Sequence, residues 1–185
     1  MDLIDLDRRA LAATGAHVAA LTPDDLTRPT PCAEWDVRAL LNHVLGNNHL
    51  YARAVTGEAV DWAERDDDRV GDDAAAAFAA SATAVTAAFD DADLDAEVAL
   101  PFGRLPGAQA VAVHFVDVLA HGWDLAVALG RDAALDHELA STALDIVGFY
   151  PPDVFGSPVF FAEQQPCPAD APPDVRLVAT LGRTL

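Results

Sequence analysis

The sequence contains no lysine, and its 185 residues include only two cysteines. All 11 basic residues are arginine, against 24 aspartates and 6 glutamates, so the formal net charge is −19. Phosphate backbones and anionic lipids repel so acidic a chain, which argues against nucleic-acid and membrane-surface binding proteins. We therefore expect neither nucleic acid nor a membrane among the partners.

Cysteine is too scarce for a disulfide framework, and neither Cys32 nor Cys167 belongs to a paired-cysteine metal motif. The opening residues MDLID carry acids where a signal peptide requires bases. No uncharged apolar run reaches the roughly 18 residues needed to cross a bilayer. These absences together predict a cytoplasmic protein.

Helical periodicity dominates the first 150 residues, in a chain that is 52% hydrophobic and only 22% charged. The chain is long enough to bury a core, and we see no domain boundary. We predict one all-α domain over residues 1–185, with a bundle over about 1–150 and an extended, proline-rich tail over about 151–185. Apolar stripes and helix-end signals place the helices at about residues 3–21, 35–57, 74–89, 107–129 and, shorter, 136–148.

The sequence also predicts the structure of two connections between helices and of the end of the tail. The acidic run 61–73 is typical of a solvated loop between helices. Residues 98–103 look like a short extended piece with a turn at Gly103, and a last helical turn or two is expected at 174–181.

The fourth helix carries four polar residues on an otherwise apolar surface. At about 100° per residue, His114, Asp117, His121 and Asp124 fall within a stripe about 80° wide. Asp117 and His121 are four residues apart, so their side chains lie one above the other and can bind one divalent cation. The alternative is that this stripe is only the solvent edge of the helix.

A metal ion needs a third protein ligand from another element, and His43 is the candidate on the second helix. By the same angular count it lies at the border of that helix's apolar face. A histidine in such a place is also typical of a partly buried residue that is hydrogen-bonded to a neighbour, so both interpretations stay open. Cys32, in a proline-set loop, reads as a buried small residue rather than a thiol in a pocket.

Two stretches together resemble a known family. They are PTPCAEWDVRALLNHV at 29–44 and DVLAHGWDLA at 117–126, and segments 101–103 and 172–183 are also similar. The chain resembles the metal-binding domain of mycothiol-dependent maleylpyruvate isomerases, within the DinB/YfiT-like superfamily. The resemblance covers nearly the whole chain, and the two motifs in this order and spacing are fairly specific.

The resemblance implies a DinB-like four-helix bundle, here with a short extra helix and an extended C-terminal tail. It implies a metal ion held between helices by His43, Asp117 and His121, the same triad that spacing suggests. The isomerase has a glutamate at the position of Asp117. Because aspartate is one methylene shorter, the metal would lie closer to the fourth helix.

Three such ligands leave an open position on a zinc-like ion, which is typical of catalytic sites. The ion would lower the pKa of a bound thiol or water. We therefore expect a metal-dependent isomerase or S-transferase that uses a low-molecular-weight thiol and a small electrophilic substrate. Zinc is the first choice of metal, and nickel and iron(II) also accept these ligands. Asn47 and His114, about one turn from a ligand, would bind thiol or substrate or hold the ligands in place. Asp124, one turn beyond His121, is a further candidate for holding a ligand in place, with a place on the helix surface as the alternative.

Two alternatives remain open from the sequence. One is a non-catalytic metal-binding or interaction protein that dimerises through the bundle. The other is a helical domain with a polar seam and no metal.

Overall fold

The computed structural model describes residues 2–33, 35–157 and 160–184. Within these ranges the chain forms six α-helices and one two-stranded sheet. Their bounds are α1 Leu3–Val18, α2 Val37–Val55, α3 Ala74–Asp91, β1 Glu97–Leu100, β2 Gly103–Pro106, α4 Gly107–Ala128, α5 His137–Val147 and α6 Pro173–Thr180.

Four helices build the bundle. Helix α1 packs against α3 and α4, and α2 packs against the same two helices, so α1 and α2 occupy opposite corners. Large apolar side chains fill the space between them, and Leu6, Leu40, Phe89 and Phe115 are at most 2% exposed. The predicted all-α bundle is confirmed. Because α1 and α2 lie on a diagonal, the segment 19–36 that joins them crosses one end of the bundle.

The predicted helices are confirmed, with small shifts at their ends. Helix α1 ends at Val18 rather than near residue 21, because Thr22 and Asp25 form a capping box that starts a separate 3₁₀ helix at Pro23–Thr27. Asp36 caps α2 by accepting a hydrogen bond from the Ala39 amide. The predicted extended piece is one strand of an antiparallel hairpin, β1 paired with β2.

The prediction of a solvated loop over 61–73 is wrong in part. Residues Trp62–Asp66 form a 3₁₀ helix that packs against α2, and Val70 is only 1% exposed. The Asn42 side-chain oxygen accepts hydrogen bonds from two backbone amides of this segment. Gly46 permits the contact, since a Cβ there would lie 1.7 Å from the Arg65 carbonyl oxygen. The acidic composition of residues 61–73 gave no indication of these few positions that pack against α2.

The C-terminal third of the chain returns to the bundle. Helix α5 packs on α4, and α6 packs on α5. The described residues between α5 and α6 form no α-helix and no strand of a sheet, apart from a 3₁₀ turn at Pro152–Val154. Beyond α6, the Arg183 guanidinium binds the buried carboxylate of Asp124 on α4. The tail is therefore attached to the bundle at its far end.

Helix α4 is the one helix in the described ranges with the length and hydropathy of a membrane span, and 72% of its apolar window is buried in the protein. That burial is the property of a core helix. It follows from the position of α4 between α1 and α2.

Close packing of α4 on α1 explains Gly122. A Cβ at this position would lie 2.4 Å from the Thr14 hydroxyl oxygen, which itself donates a hydrogen bond to the Val118 carbonyl. The glycine therefore brings the two helices together just beyond His121.

We predict that Gly122→Ala lowers the free energy of unfolding by about 1–3 kcal/mol, because the added methyl group overpacks the contact with Thr14. In a Thr14→Ala background the same substitution should be neutral or stabilise the helix by up to about 1 kcal/mol, since alanine favours helix over glycine. Denaturant unfolding of the four proteins measures this coupling. Equal losses in both backgrounds would contradict the packing explanation.

Candidate metal centre

Helices α2 and α4 bring the three predicted ligands to one point. Asp117 Oδ1 lies 3.6 Å from His43 Nε2 and 3.5 Å from His121 Nε2. One ligand atom from each residue lies within 4.8 Å of the other two. The predicted triad thus comes together in the structure, whereas metal binding itself stays a prediction.

The spacing suits a small cation. Two ligands about 2.0–2.1 Å from a tetrahedral zinc ion lie about 3.3 Å apart. The measured separations of 3.5 and 3.6 Å need only a slight contraction to reach that value. Two imidazoles and a carboxylate are also a normal donor set for zinc, nickel or iron(II). The residues present therefore fit a divalent metal ion.

Asn47, predicted to bind thiol or substrate or to hold the ligands, lies directly between two members of the triad. Its side-chain nitrogen is 2.9 Å from Asp117 Oδ2 and 3.1 Å from His43 Nε2. The bond to Asp117 turns the other carboxylate oxygen, Oδ1, towards the histidines. A cation bound by His43 Nε2 would replace the hydrogen bond at that nitrogen and leave the bond to Asp117 in place.

Asp124 orients the ring of His121 through the nitrogen that faces away from the triad. Its Oδ2 lies 3.0 Å from His121 Nδ1, so that nitrogen carries the proton and Nε2 is left to face the triad. The guanidinium of Arg183 binds both oxygens of Asp124, at 3.1 and 2.7 Å. Carboxylate–histidine pairs of this kind are typical partners of metal-ligating histidines, whose tautomer and ring orientation they determine.

The segment that crosses the end of the bundle covers the histidines. The Trp35 ring lies against both, with centroid distances of 4.7 Å to His43 and 5.8 Å to His121. Cys32 donates a hydrogen bond to Asp124 at 3.1 Å, and its sulfur lies 3.9 Å from His121 Nδ1. The two histidine side chains are only 9% exposed, against 23% for Asp117, so the triad opens to solvent on the Asp117 side.

The charged side chains of the site stabilise one another in their ionised forms. Burial alone would raise the pKa of Asp117, but His121 and His43 hold this pKa well below its usual range. Burial alone would lower the pKa of His121, but Asp117 and Asp124 raise it well above its usual value. Burial alone would raise the pKa of Asp124, but His121 and Arg183 lower this pKa by more. The metal-free site is therefore a set of paired charges.

His114 does not join the triad, although it shares the stripe of α4. It is fully buried, with Nδ1 2.7 Å from Asp7 Oδ1 on α1 and Nε2 3.0 Å from Asn48 Oδ1 on α2. Asn48 in turn donates to Ser81 on α3. Both ring nitrogens thus have hydrogen-bond partners inside the bundle, and none of these partners belongs to the triad. The contacts favour a role in joining the four helices over the predicted binding role.

Sequence reasoning did not single out Trp35 or Arg183 as site residues. Trp35 was visible within the family motif, directly before the cap of α2. Arg183 ends the segment 172–183 that resembles the family, but its partner Asp124 lies 59 residues away in the sequence, so no local spacing indicated the pair.

Comparison with known proteins finds similarity over most or all of the chain. Residues 8–126 match the family model for the mycothiol maleylpyruvate isomerase N-terminal domain. Two uncharacterized proteins of Mycobacterium tuberculosis, MT0763 (strain CDC 1551 / Oshkosh) and Rv0738 (strain ATCC 25618 / H37Rv), are each 36% identical over 189 residues, and the alignment covers all of both chains.

Solved structures show the same fold. A crystal structure of the mycothiol-dependent maleylpyruvate isomerase matches with a TM-score of 0.66 and 17% identity, over 80% of this chain and 68% of that one. A histidine mutant of that isomerase matches with the same TM-score, 16% identity and the same coverage. At these identities the likeness is one of fold.

We predict that the metal-free protein loses stability as the pH rises above about 6.5, the ordinary pKa of histidine. The folded-state pKa of His121 is raised, so its contribution is complete below that pH and is lost as the pH rises through the folded value. Urea unfolding of chelator-treated protein between pH 6 and 10 measures this. The His121→Gln variant should show a flatter profile, and identical profiles for the two proteins would contradict the assignment.

Proposed function

Because the chain belongs to the family of the mycothiol maleylpyruvate isomerase N-terminal domain, we propose that it is a divalent-metal-binding enzyme that uses a low-molecular-weight thiol. The reaction would be of the isomerase or S-transferase type, on a small electrophilic substrate. The observation that carries the proposal is the convergence of His43, Asp117 and His121 at ligand spacing, with Asp124 orienting His121.

Three protein ligands leave one position of a tetrahedral ion open. When bound, the metal would lower the pKa of a thiol or water at that position, so that a nucleophile is available near neutral pH. Zinc is our first choice, and nickel and iron(II) suit the same donors. Access is from the Asp117 side, because that side chain is the most exposed of the three.

The surrounding residues would hold this arrangement before any ligand arrives. Asn47 restrains the Asp117 carboxylate, Asp124 restrains the His121 ring, and Trp35 shields both histidines from water. Fixing ligands in advance reduces the reorganisation required during the reaction. With a net charge of −19, the protein would attract divalent cations and favour substrates that are not strongly anionic.

A second candidate is a non-catalytic metal-binding or interaction protein that dimerises through the bundle. The observation in its favour is that the two histidine side chains are only 9% exposed, as in closed structural metal sites. A site of this kind would bind metal as tightly but would leave no room for a thiol.

The triad can be tested by metal content. We expect the purified protein to bind one divalent ion, and His43→Gln, Asp117→Asn and His121→Gln each to weaken binding by on the order of 100-fold, since each removes a ligand. Chelator competition and elemental analysis measure this. His49→Gln is the matched control, because this exposed histidine lies on α2 about 120° around the axis from His43. Equal metal content in wild type and all three variants would refute the triad.

Catalysis can be tested separately with the metal-loaded protein. We expect thiol-dependent turnover of a small electrophile, such as an activated alkene, that disappears when metal is removed and returns when zinc is restored. Loss of free thiol groups and product formation are the measurements. A filled metal site without metal-dependent turnover in such a screen would favour the non-catalytic candidate, and light scattering would then test for the dimer.

A further inference from the structure

A second group of metal-ligating side chains lies on the other side of the His121 ring from the triad. One ligand atom each of Cys32, His121 and Asp124 lies within 4.8 Å of the other two. Cys32 Sγ is 3.1 Å from Asp124 Oδ2 and 3.9 Å from His121 Nδ1, and Oδ2 is 3.0 Å from Nδ1. We refer to these three side chains as the cysteine site.

The spacing of the cysteine site suits one metal ion. Around a tetrahedral zinc ion, with Zn–S of about 2.3 Å and Zn–N or Zn–O of about 2.0–2.1 Å, pairs of ligand atoms lie about 3.3–3.6 Å apart. The measured separations of 3.0, 3.1 and 3.9 Å need only small side-chain movements to reach that range. Thiolate, imidazole and carboxylate are all zinc ligands, and the thiolate adds a preference for softer ions.

In the metal-free protein the cation of the cysteine site is Arg183. Its Nη2 lies 2.7 Å from Asp124 Oδ2 and 3.6 Å from Cys32 Sγ, so one guanidinium nitrogen contacts two of the three ligand atoms. Its Nε donates to the other oxygen of Asp124, Oδ1, at 3.1 Å, and that bond involves none of the ligand atoms. A metal ion therefore has to displace only Nη2, while the tail keeps its second bond to Asp124.

The cysteine site lies close to the protein surface. Cys32 is partly exposed, although Asp124 is fully buried. A surface cavity of about 390 Å³ is lined in part by Pro31, which precedes Cys32, and by Gly182 and Thr184, on either side of Arg183. An ion from solvent therefore has access to the part of the chain that carries the cysteine.

The triad and the cysteine site favour different cations. At the cysteine site an incoming ion competes with Arg183, so an ion that binds both sets of ligands well, such as zinc, is expected at the triad. A thiolate binds soft ions in preference to hard ones. For a soft ion such as cadmium, the gain at the sulfur atom outweighs the competition with Arg183.

We propose that Cys32, His121 and Asp124 form a second metal site, which binds a soft, thiolate-preferring ion. On binding, the protons on Cys32 Sγ and His121 Nδ1 pass to water, and the ion forms bonds to these two atoms and to Asp124 Oδ2. His121 keeps the proton on Nε2, which faces Asp117 Oδ1 at 3.5 Å. Because a neutral imidazole has only one nitrogen free to bind a metal, an ion at the cysteine site removes His121 from the triad. This inference goes beyond the proposed function and does not require it.

Cadmium is the probe, because its bond to a thiolate gives an ultraviolet charge-transfer band that bonds to nitrogen and oxygen do not give. We expect the metal-free wild type to develop this band with one cadmium ion, and Cys32→Ser to lose it while its hydroxyl group keeps the hydrogen bond to Asp124. Cys167→Ser is the matched control and should keep the band, since Cys167 is the other free cysteine and is not part of the site. No band in the wild type, or a band that persists in Cys32→Ser, would overturn the proposal.

Titration of the same band measures the contribution of the histidine. We expect His121→Gln to weaken cadmium binding by on the order of 100-fold, since it removes a ligand. His43→Gln should change it by less than about twofold, because His43 belongs only to the triad. Equal cadmium affinity in His121→Gln and the wild type would mean that Cys32 binds the ion as an isolated thiol, which would also overturn the proposal.

The cysteine site and the proposed function fail in different ways. If the wild type binds no zinc but gives the band that depends on Cys32 and His121, the proposed function fails and the cysteine site stands. If the wild type binds zinc through the triad but gives no such band with cadmium, only the cysteine site is lost.

Discussion

The buried carboxylate of Asp124 is the contact on which the candidate centre depends. It receives Arg183 from the C-terminal tail and Cys32 from the segment that crosses the bundle, and it binds the ring of His121 one turn away. Since its side chain is fully buried, an unpaired charge there would be strongly destabilising. The same ion pair that attaches the tail to the bundle therefore also orients a metal-ligating candidate. Stability and site geometry are coupled through one side chain.

A second polar group lies deeper in the bundle and has a different consequence. Asp7, Asn48, Ser81 and His114 contribute one side chain from each of the four helices, joined by hydrogen bonds. Because a buried polar group is costly without its partner, this chain of bonds favours one register of the helices over others. The register in turn sets the relative height of His43 on α2 and of Asp117 and His121 on α4. These hydrogen bonds thus support the geometry of the triad without contacting it.

Prediction from the sequence went furthest where the signal was local. The helices follow from periodicity and from helix-end signals, and the structure has them within a few positions. Spacing on one helix also singled out Asp117 and His121, because residues four apart lie on the same face in any helix. The stripe of α4 could not be subdivided in this way. His114, Asp117 and Asp124 lie on nearly the same face, yet each meets a different partner from another part of the chain.

The sequence by itself determined that this chain is a bundle of apolar helices with two histidines and an aspartate placed so that they can meet, since helical geometry and hydrophobic patterning are properties of short segments. Only the tertiary structure decided which of the polar residues meet. Arg183 and Cys32 both bind Asp124, and Trp35 covers His43 and His121. Each of these facts depends on where loops and tail cross the bundle. That path is set by the packing of many side chains together, which no single segment encodes.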